Sequence, residues 1–118
     1  MSKDKQALSS FKLVYTPLFV NTLAKLQYFL SANYSEELAL NTLNEIEQKI
    51  REVLHPNPFL GAVIPELQEI GICSYRKFII DKHNVLFYKL EDKSLIILAI
   101  MDMRQNINDV LYDALIAY

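Results

Sequence analysis

The side chains best suited to bind a charged group lie in the second half of the chain. Arg76 falls within CSYRKFII at 73–80, where strand alternation puts it on one face with large apolar residues, and Arg104 follows the last apolar stretch. Both belong to one run of predicted strands, so the sheet could bring them to one end or one face. From the residues alone, we interpret Arg76 as an ion-pair partner of Asp102 or Asp81 that fixes the strand register.

The other reactive residue types form no recognisable site. Cys73 is the only cysteine, and within a strand it is interpreted as a small core hydrophobe. His55 precedes a proline at a predicted helix end, where its charge favours the negative end of the helix dipole, and His83 falls in a predicted solvated turn. One cysteine and two distant histidines predict no zinc site, and two glycines allow no phosphate-binding loop. We therefore expect no metal and no cofactor.

Length and charge narrow the class of protein. The chain has 118 residues, of which 52% are hydrophobic and 22% charged, which predicts a single domain over 1–118 with flexible residues 1–10. The net charge is −2, and neither half of the chain is a basic platform for a polyanion. No signal peptide or membrane segment is recognisable, so a cytoplasmic location is expected.

The first half of the sequence predicts a strand and a pair of helices. FKLVY at 11–15 alternates as a short strand. Thr16 followed by Pro17 is typical of a helix start, because a side-chain oxygen can cap the helix and proline needs no hydrogen bond at the first position. Ser35 begins a second helix over about 36–54, and so short a connection predicts an antiparallel helical hairpin. Each helix has one predicted buried stripe: Phe19, Leu23, Leu26 and Leu30 on the first, widened by Tyr28 and Phe29, and Ala39, Leu43, Ile46, Ile50 and Val53/Leu54 on the second.

The second half predicts a loop and an antiparallel meander. The loop spans 55–65, and strands follow at about 72–81, 85–90 and 94–103. The last strand, SLIILAIM, carries apolar residues on both of its faces, so both faces of the sheet must be covered. The cover could come from a short C-terminal helix over 106–118 or from a partner. The predicted class is α+β: an N-terminal strand and a helical hairpin packed on an antiparallel sheet that the meander completes.

Four stretches of the loop and meander are informative in this order: HPNPFLGAVIPEL at 55–67, GICSYRKF at 71–78, VLFYKL at 85–90 and IILAIMDMRQ at 96–105. Together with the order of elements, they resemble the RelE/ParE superfamily of toxins from type II toxin–antitoxin systems. The resemblance covers nearly the whole chain and implies a small toxin that its cognate antitoxin neutralises by wrapping it with a flexible tail. It implies no direct specific DNA binding except through the antitoxin, and no membrane association.

One branch of the superfamily, the RelE-like toxins, consists of ribosome-dependent endoribonucleases. The resemblance implies catalytic roles for Arg76, Arg104 and Tyr112 in that case, since cleaving RNA requires proton transfer and positive charge around the phosphate. The ribosome and mRNA would then be the partners. Two features depart from this branch: Tyr112 is displaced by two residues, and Glu66 and Glu69 stand where basic residues are usual.

Two features look closer to the ParE-like branch. They are the acidic residues Glu66 and Glu69, which precede the strand that carries Arg76, and the ending RQNINDVL at 104–111. That resemblance implies a protein that inhibits DNA gyrase by binding it, with growth arrest and plasmid stabilisation as consequences and no chemistry of its own. The target-binding residues expected here are Arg76, Arg104 and Tyr88. The remaining alternative is a degenerate toxin that retains only antitoxin binding.

Overall fold

The computed structural model describes residues 10–106, 108 and 110. Within them the α+β class is confirmed: a five-stranded sheet in the order β1-β5-β4-β3-β2 packs against a helical hairpin. The expectation for residues 1–10 lies outside the described residues apart from Ser10. The predicted helix over 106–118 lies outside them apart from Asn106, Asn108 and Val110. The Val110 amide donates to the Asn106 carbonyl at 3.2 Å.

The elements follow one another in the predicted order, with two short additions: β2 within the predicted loop and α3 at its end. They are β1 (Lys12–Tyr15), α1 (Pro17–Asn33), α2 (Glu36–Lys49), β2 (Ala62–Val63), α3 (Pro65–Gln68), β3 (Tyr75–Ile79), β4 (Asn84–Glu91) and β5 (Ser94–Asp102).

Both predicted helix starts are confirmed at the level of the capping atoms. The Thr16 hydroxyl oxygen accepts from the Phe19 amide at 3.0 Å, and the Ser35 hydroxyl oxygen accepts from the Leu38 amide at 3.0 Å. The second helix reaches residue 54 as predicted, but Ile50–Leu54 form a π-helical turn instead of continuing the α-helix.

The sheet is mixed, whereas the sequence predicted an antiparallel one. β1 runs parallel to β5, because the chain crosses from one to the other through the helical hairpin and the remaining strands. β2, β3, β4 and β5 pair antiparallel, which confirms the meander. β2 was not predicted, because a strand of two residues is too short to show a periodic pattern. It forms through its pairing with β3.

The interpretation of Cys73 as a core residue is wrong. β3 begins at Tyr75 instead of about residue 72, and Cys73 is exposed. The reason lies just upstream, where Gly71 adopts a positive φ of 84° and the Ile72 amide donates to the Leu67 carbonyl at 2.8 Å. This turn after α3 keeps the chain off the sheet until Ser74.

A β-bulge explains why β5 is apolar at both its odd-numbered and its even-numbered positions. Leu95 and Ile97 are fully buried before the bulge, and Ile100 and Asp102 are fully buried after it. Because Leu98 is an extra residue, odd-numbered positions face the helices before it and even-numbered positions face them after it. Alternation over the whole strand would have placed half of these residues on the wrong face.

Two threonines attach α1 to the bulge. The Thr16 hydroxyl donates to the Ile97 carbonyl at 2.9 Å. The Thr22 hydroxyl oxygen accepts from the Ile100 amide at 3.1 Å, and its proton goes to the Phe19 carbonyl at 3.0 Å. Backbone groups that the irregular ladder would leave unpaired are thus satisfied by the helix.

The core lies between this anchored helix, its neighbour α2 and the sheet. Tyr28, which was predicted to widen the buried stripe of α1, is instead 76% exposed. The core members that are 0% exposed are Leu26, Ala39, Ile50, Leu54, Leu86, Tyr88, Leu95, Ile97 and Ile100.

We predict that Thr22→Val keeps the side-chain volume but lowers the free energy of unfolding by about 1–3 kcal/mol, because it leaves the buried Ile100 amide without an acceptor. Urea unfolding and hydrogen exchange of the Ile100 amide measure the effect. Thr22→Ser, which retains the hydroxyl, is expected to keep that amide slow to exchange. Unchanged exchange in Thr22→Val would contradict the assignment.

Candidate functional site

Arg76 holds the loop between α2 and β2, and the predicted ion pair with Asp102 or Asp81 is wrong. Its Nη1 donates to the Gly61 carbonyl at 2.6 Å and to the Phe59 carbonyl at 3.2 Å, and its guanidinium lies 5.5 Å from the centre of the Phe59 ring. Arg76 shares a face with Tyr88, its register partner, so it points toward the loop that covers this part of the sheet.

Tyr88 holds the same loop from beneath. Its hydroxyl donates to the Pro58 carbonyl at 2.8 Å and accepts from the Gly61 amide at 2.9 Å. Burial raises the pKa of Tyr88, which keeps the phenol neutral and able to donate. The backbone of Gly61 is therefore fixed at both its amide and its carbonyl, by Tyr88 and Arg76 respectively. We call residues 58–61 the clamped loop.

The clamped loop requires glycine at position 61. A Cβ there would lie 2.5 Å from the Tyr88 hydroxyl oxygen and 2.8 Å from the Lys77 carbonyl oxygen. Tyr88, which was predicted to contact a target, is 0% exposed beneath the loop. The residues that face outward are Phe59 and Leu60, which are 58% and 48% exposed.

Arg104 is also engaged within the fold. Its Nε and Nη2 donate to the two carboxylate oxygens of Asp102 at 2.9 and 2.5 Å, and its guanidinium lies 4.6 Å from the centre of the Tyr34 ring. Tyr34 caps the C-terminal end of α1. Arg104 therefore joins the end of β5 to the turn of the helical hairpin.

The carboxylate of Asp102 is fully buried but remains charged. Burial by itself raises the pKa of Asp102, yet the hydrogen bonds and the charge of Arg104 outweigh it, so the pKa lies below its usual range. Asp81, the other proposed partner of Arg76, instead accepts from the amides of His83 and Asn84 at 2.8 and 2.9 Å. Both carboxylates thus organise turns next to their own strands.

The sheet does not bring the two arginines together. Arg76 is level with Ile97 across β4, whereas Arg104 follows Asp102, five residues farther along the strand direction. At ~3.3 Å per residue their backbones are more than roughly 15 Å apart. Tyr112, the third residue of the nuclease alternative, lies outside the described residues.

The remaining candidates have local structural surroundings. His55 lies at the helix end, where its backbone amide donates to the Ile50 carbonyl, but its ring contacts the start of the chain instead: Nε2 lies 2.7 Å from the Phe11 carbonyl oxygen. His83 lies in the β3–β4 turn, as predicted. Arg51 is exposed and pairs with Glu47 at 3.6 Å, one helical turn away.

A groove lies between α1 and α2 that was not recognised in the sequence. It has a volume of about 440 Å³, and Tyr15 of β1 also lines it. Val20 and Leu40, on opposite walls, are 56% and 49% exposed, and Glu47 lies at its rim. We call this surface the helical groove. Its walls carry Phe19, Val20, Leu23, Leu40 and Leu43.

Sequence reasoning missed the groove because it treated the apolar residues of each helix as one buried stripe. Leu40 falls outside the predicted stripe of α2, and Val20 outside that of α1. Exposed apolar residues beside a buried stripe, on two helices predicted to pack together, are the signal that could have found it.

Two classes of site find no support in the described part of the chain. Across residues 10–106, no group of three or more His, Cys, Asp or Glu side chains is arranged to hold a metal ion. None of the described helices is both long and apolar enough to cross a membrane.

Comparison with known proteins gives a family and a fold. The profile of a family described as ParE toxin of type II toxin-antitoxin system, parDE, matches residues 13–107. A structure described as the chromosomal ParDE TA system from P. aeruginosa is similar with a TM-score of 0.65 and 16% identity, over 81% of this chain and 99% of that chain.

A second solved structure gives a weaker match, and the curated proteins give none. The solution structure of the conserved hypothetical protein HP0894 from Helicobacter pylori has a TM-score of 0.47 and 21% identity, over 78% of this chain and 93% of that chain. No curated protein matches the sequence. At these identities the structural likeness concerns the fold alone.

We predict that Gly61→Ala lowers the free energy of unfolding by about 1–3 kcal/mol, because the added methyl group collides with Tyr88 and the backbone of β3. Gly71→Ala is the control: its Cβ meets open space, and only the positive φ costs energy. Limited proteolysis distinguishes the two, since only Gly61→Ala should speed cleavage within 55–64. Equal cleavage in both variants would contradict the clamp.

We predict that Arg104→Met lowers the free energy of unfolding by about 1–3 kcal/mol at pH 7, because buried Asp102 loses its partner. A depressed pKa stabilises the fold above the unfolded value of about 3.9, and this contribution is lost as pH falls through the folded pKa. The difference from wild type should therefore shrink below about pH 4. Urea unfolding at pH 7 and pH 3 measures it.

Arg51→Met is the matched control, because its ion pair is exposed and is expected to contribute under about 0.5 kcal/mol at either pH. A difference between Arg104→Met and wild type that stays constant from pH 7 to pH 3 would contradict the assigned pair.

Proposed function

Because the chain belongs to the ParE toxin family of type II toxin–antitoxin systems, we propose that it inhibits DNA gyrase by binding it and that an antitoxin helix in the helical groove neutralises it. Growth arrest follows when the antitoxin is lost. The observation that carries the antitoxin part is the helical groove itself, an apolar depression between two helices with exposed Val20 and Leu40 on its walls.

The shape and chemistry of the groove fit an amphipathic helix. A helix buries a stripe of residues three and four apart, and two antiparallel helices form a depression of matching length. Leu23, Leu40 and Leu43 provide apolar contacts, while Asn44 and Glu47 offer polar groups at the rim. A toxin of this family implies an antitoxin as partner, so the antitoxin is the occupant to which we commit.

Two observations support gyrase as the target: the family, and the hydrogen bonds that Arg76 and Arg104 make within the fold. Arg76 donates to two backbone carbonyls and Arg104 to Asp102, so both guanidinium groups have partners within the fold. A ribonuclease would need them free to contact one phosphate, and they lie far apart along the sheet. Binding without bond cleavage is therefore the activity that we propose.

We predict that the purified protein inhibits supercoiling of relaxed plasmid by DNA gyrase and that equimolar antitoxin restores it. Supercoiling is followed by gel electrophoresis over a range of toxin concentrations. Undiminished supercoiling at a large excess of toxin would contradict the gyrase target. Cleavage of mRNA in a translating extract would then favour the ribosome-dependent alternative.

We predict that Val20→Glu and Leu40→Glu weaken antitoxin binding at least tenfold, because each puts a charge into an apolar interface. Both side chains are exposed, so the fold should persist. Binding is measured by calorimetry with the antitoxin encoded next to the toxin gene, and growth rescue provides the cellular readout.

The matched controls are Gln27→Glu on α1 and Gln48→Glu on α2, which add the same charge at exposed positions outside the groove. They should bind the antitoxin as wild type does. Equal antitoxin affinity in the groove variants and the controls would rule the groove out as the neutralising site.

A further inference from the structure

The helical groove is apolar over most of its surface but carries one charge. Glu47 is the only charged side chain among the described residues that line it. A partner can reach its carboxylate, since 61% of the side chain is exposed. The apolar residues explain why an amphipathic helix would bind in the groove, but they do not distinguish one such helix from another. Glu47 can make that distinction, because an acidic group attracts cations and repels anions.

Tyr15 lies near Glu47 at the same end of the groove. α1 and α2 run antiparallel, so Tyr15, which precedes α1, is close to the last turns of α2. The Tyr15 ring stacks on Phe19 with the ring centres 5.3 Å apart, and 42% of Tyr15 remains exposed. Burial raises the pKa of Tyr15, the charge of Glu47 raises it further, and the charge of Arg51 opposes the shift. The phenol therefore lies within electrostatic reach of both charged side chains.

Arg51 pairs with Glu47 only weakly. The two charged groups are 3.6 Å apart, and both side chains are more than half exposed, at 64% and 61%. An exposed ion pair one helical turn apart contributes little, so a cation of a partner can replace or join Arg51 at small cost. Arg51 does not line the groove, so the charge that an occupant meets there is negative.

An occupant of the groove has to compensate this charge. A helix that covers Glu47 with apolar side chains removes part of the hydration of the carboxylate, which costs free energy, and an acidic residue at that point adds repulsion. A lysine or arginine instead forms a charge-assisted hydrogen bond with the carboxylate, while its aliphatic stem packs on the Tyr15 ring. The groove therefore favours an amphipathic helix with a basic residue beside its apolar stripe.

We propose that Glu47 sets the specificity of the helical groove by binding a lysine or arginine side chain of the antitoxin helix beside Tyr15. The proposal rests on the proposed function, because it takes an antitoxin helix as the occupant. Along α2, Glu47 is seven residues from Leu40, or ~10 Å. A helix that lies along the groove therefore carries its basic residue about two turns from the apolar residue that contacts Leu40.

The chain's own C-terminal segment fits this end of the groove less well. Residues 106–118 contain Asp109 and Asp113 and no lysine or arginine, so they bring no cation to Glu47. Val110, the last residue that the structure describes, lines a separate hollow beside Tyr28 of α1. The antitoxin is thus the occupant whose charge Glu47 selects.

The test measures how tightly the full-length toxin binds the antitoxin encoded next to its gene, by calorimetry. Glu47→Gln should weaken binding about fivefold or more, because it removes the charge and keeps the size of the side chain. Glu47→Lys should weaken binding further, since two cations then repel each other. Raising the salt concentration from about 0.05 to 0.5 M should reduce the difference between wild type and Glu47→Gln, because salt screens the interaction.

Two matched controls separate recognition from a structural effect. Arg51→Gln breaks the same ion pair but leaves the Glu47 carboxylate in place, so it should bind the antitoxin at least as tightly as wild type does. Glu52→Gln removes an acidic charge at an exposed position outside the groove and should bind within twofold of wild type. Circular dichroism checks that every variant is folded.

Charge reversal identifies the partner of Glu47. Each lysine and arginine of the antitoxin is replaced by glutamate in turn. One of these antitoxin variants should bind the Glu47→Lys toxin at least tenfold more tightly than it binds the wild-type toxin. A purely structural role of Glu47 would produce no such exchange of preference.

Three results would overturn the proposal. Wild-type affinity in Glu47→Gln would remove the role of the charge, and an equal loss in Glu47→Gln and Arg51→Gln would make the ion pair a structural feature. The absence of any charge-reversal pair would exclude a basic antitoxin residue at Glu47. If Val20→Glu and Leu40→Glu weaken binding in these cases, the groove remains the neutralising site and only the role of Glu47 fails. Unchanged binding in all the groove variants would instead overturn both proposals.

Discussion

The architecture depends on the way α1 is fastened to the bulge in β5. Thr16 and Thr22 supply hydrogen bonds to the backbone of Ile97 and Ile100, on either side of the extra residue Leu98. A regular strand would send Ile97 and Ile100 to opposite faces, whereas the bulged strand buries both. The same anchor positions α1 against α2, and so sets the walls of the helical groove. One local irregularity thus decides which residues of β5 face the helices.

The two arginines stabilise different junctions of this framework. Arg76 acts through uncharged carbonyls of the clamped loop, and Arg104 acts through the buried carboxylate of Asp102 and the ring of Tyr34. Each guanidinium satisfies groups that water would otherwise have to reach. Moving either arginine onto a phosphate would break these hydrogen bonds and cost free energy. A structural role is therefore favoured over phosphate binding. The surface left for a partner is accordingly the apolar helical groove.

Sequence reasoning succeeded where the signal is local and failed where a partner is distant in the chain. Capping by Thr16 and Ser35 and the meander follow from neighbouring residues, so both were predictable. The partner of Arg76 depends on a loop that precedes it by fifteen residues, as does the burial of Tyr88 beneath that loop. Cys73 was misplaced because the turn at Gly71 delays β3. The groove emerges only when two helices are brought together.

The claim that both family-typical arginines serve the fold can be tested directly on their side chains. NMR of the guanidinium groups measures rotation about the Nε–Cζ bond, and Arg51 provides an exposed reference in the same molecule. We expect restricted rotation with separate Nη signals for Arg76 and Arg104, and a single averaged signal for Arg51. Averaged signals for all three arginines in the free protein would contradict this account.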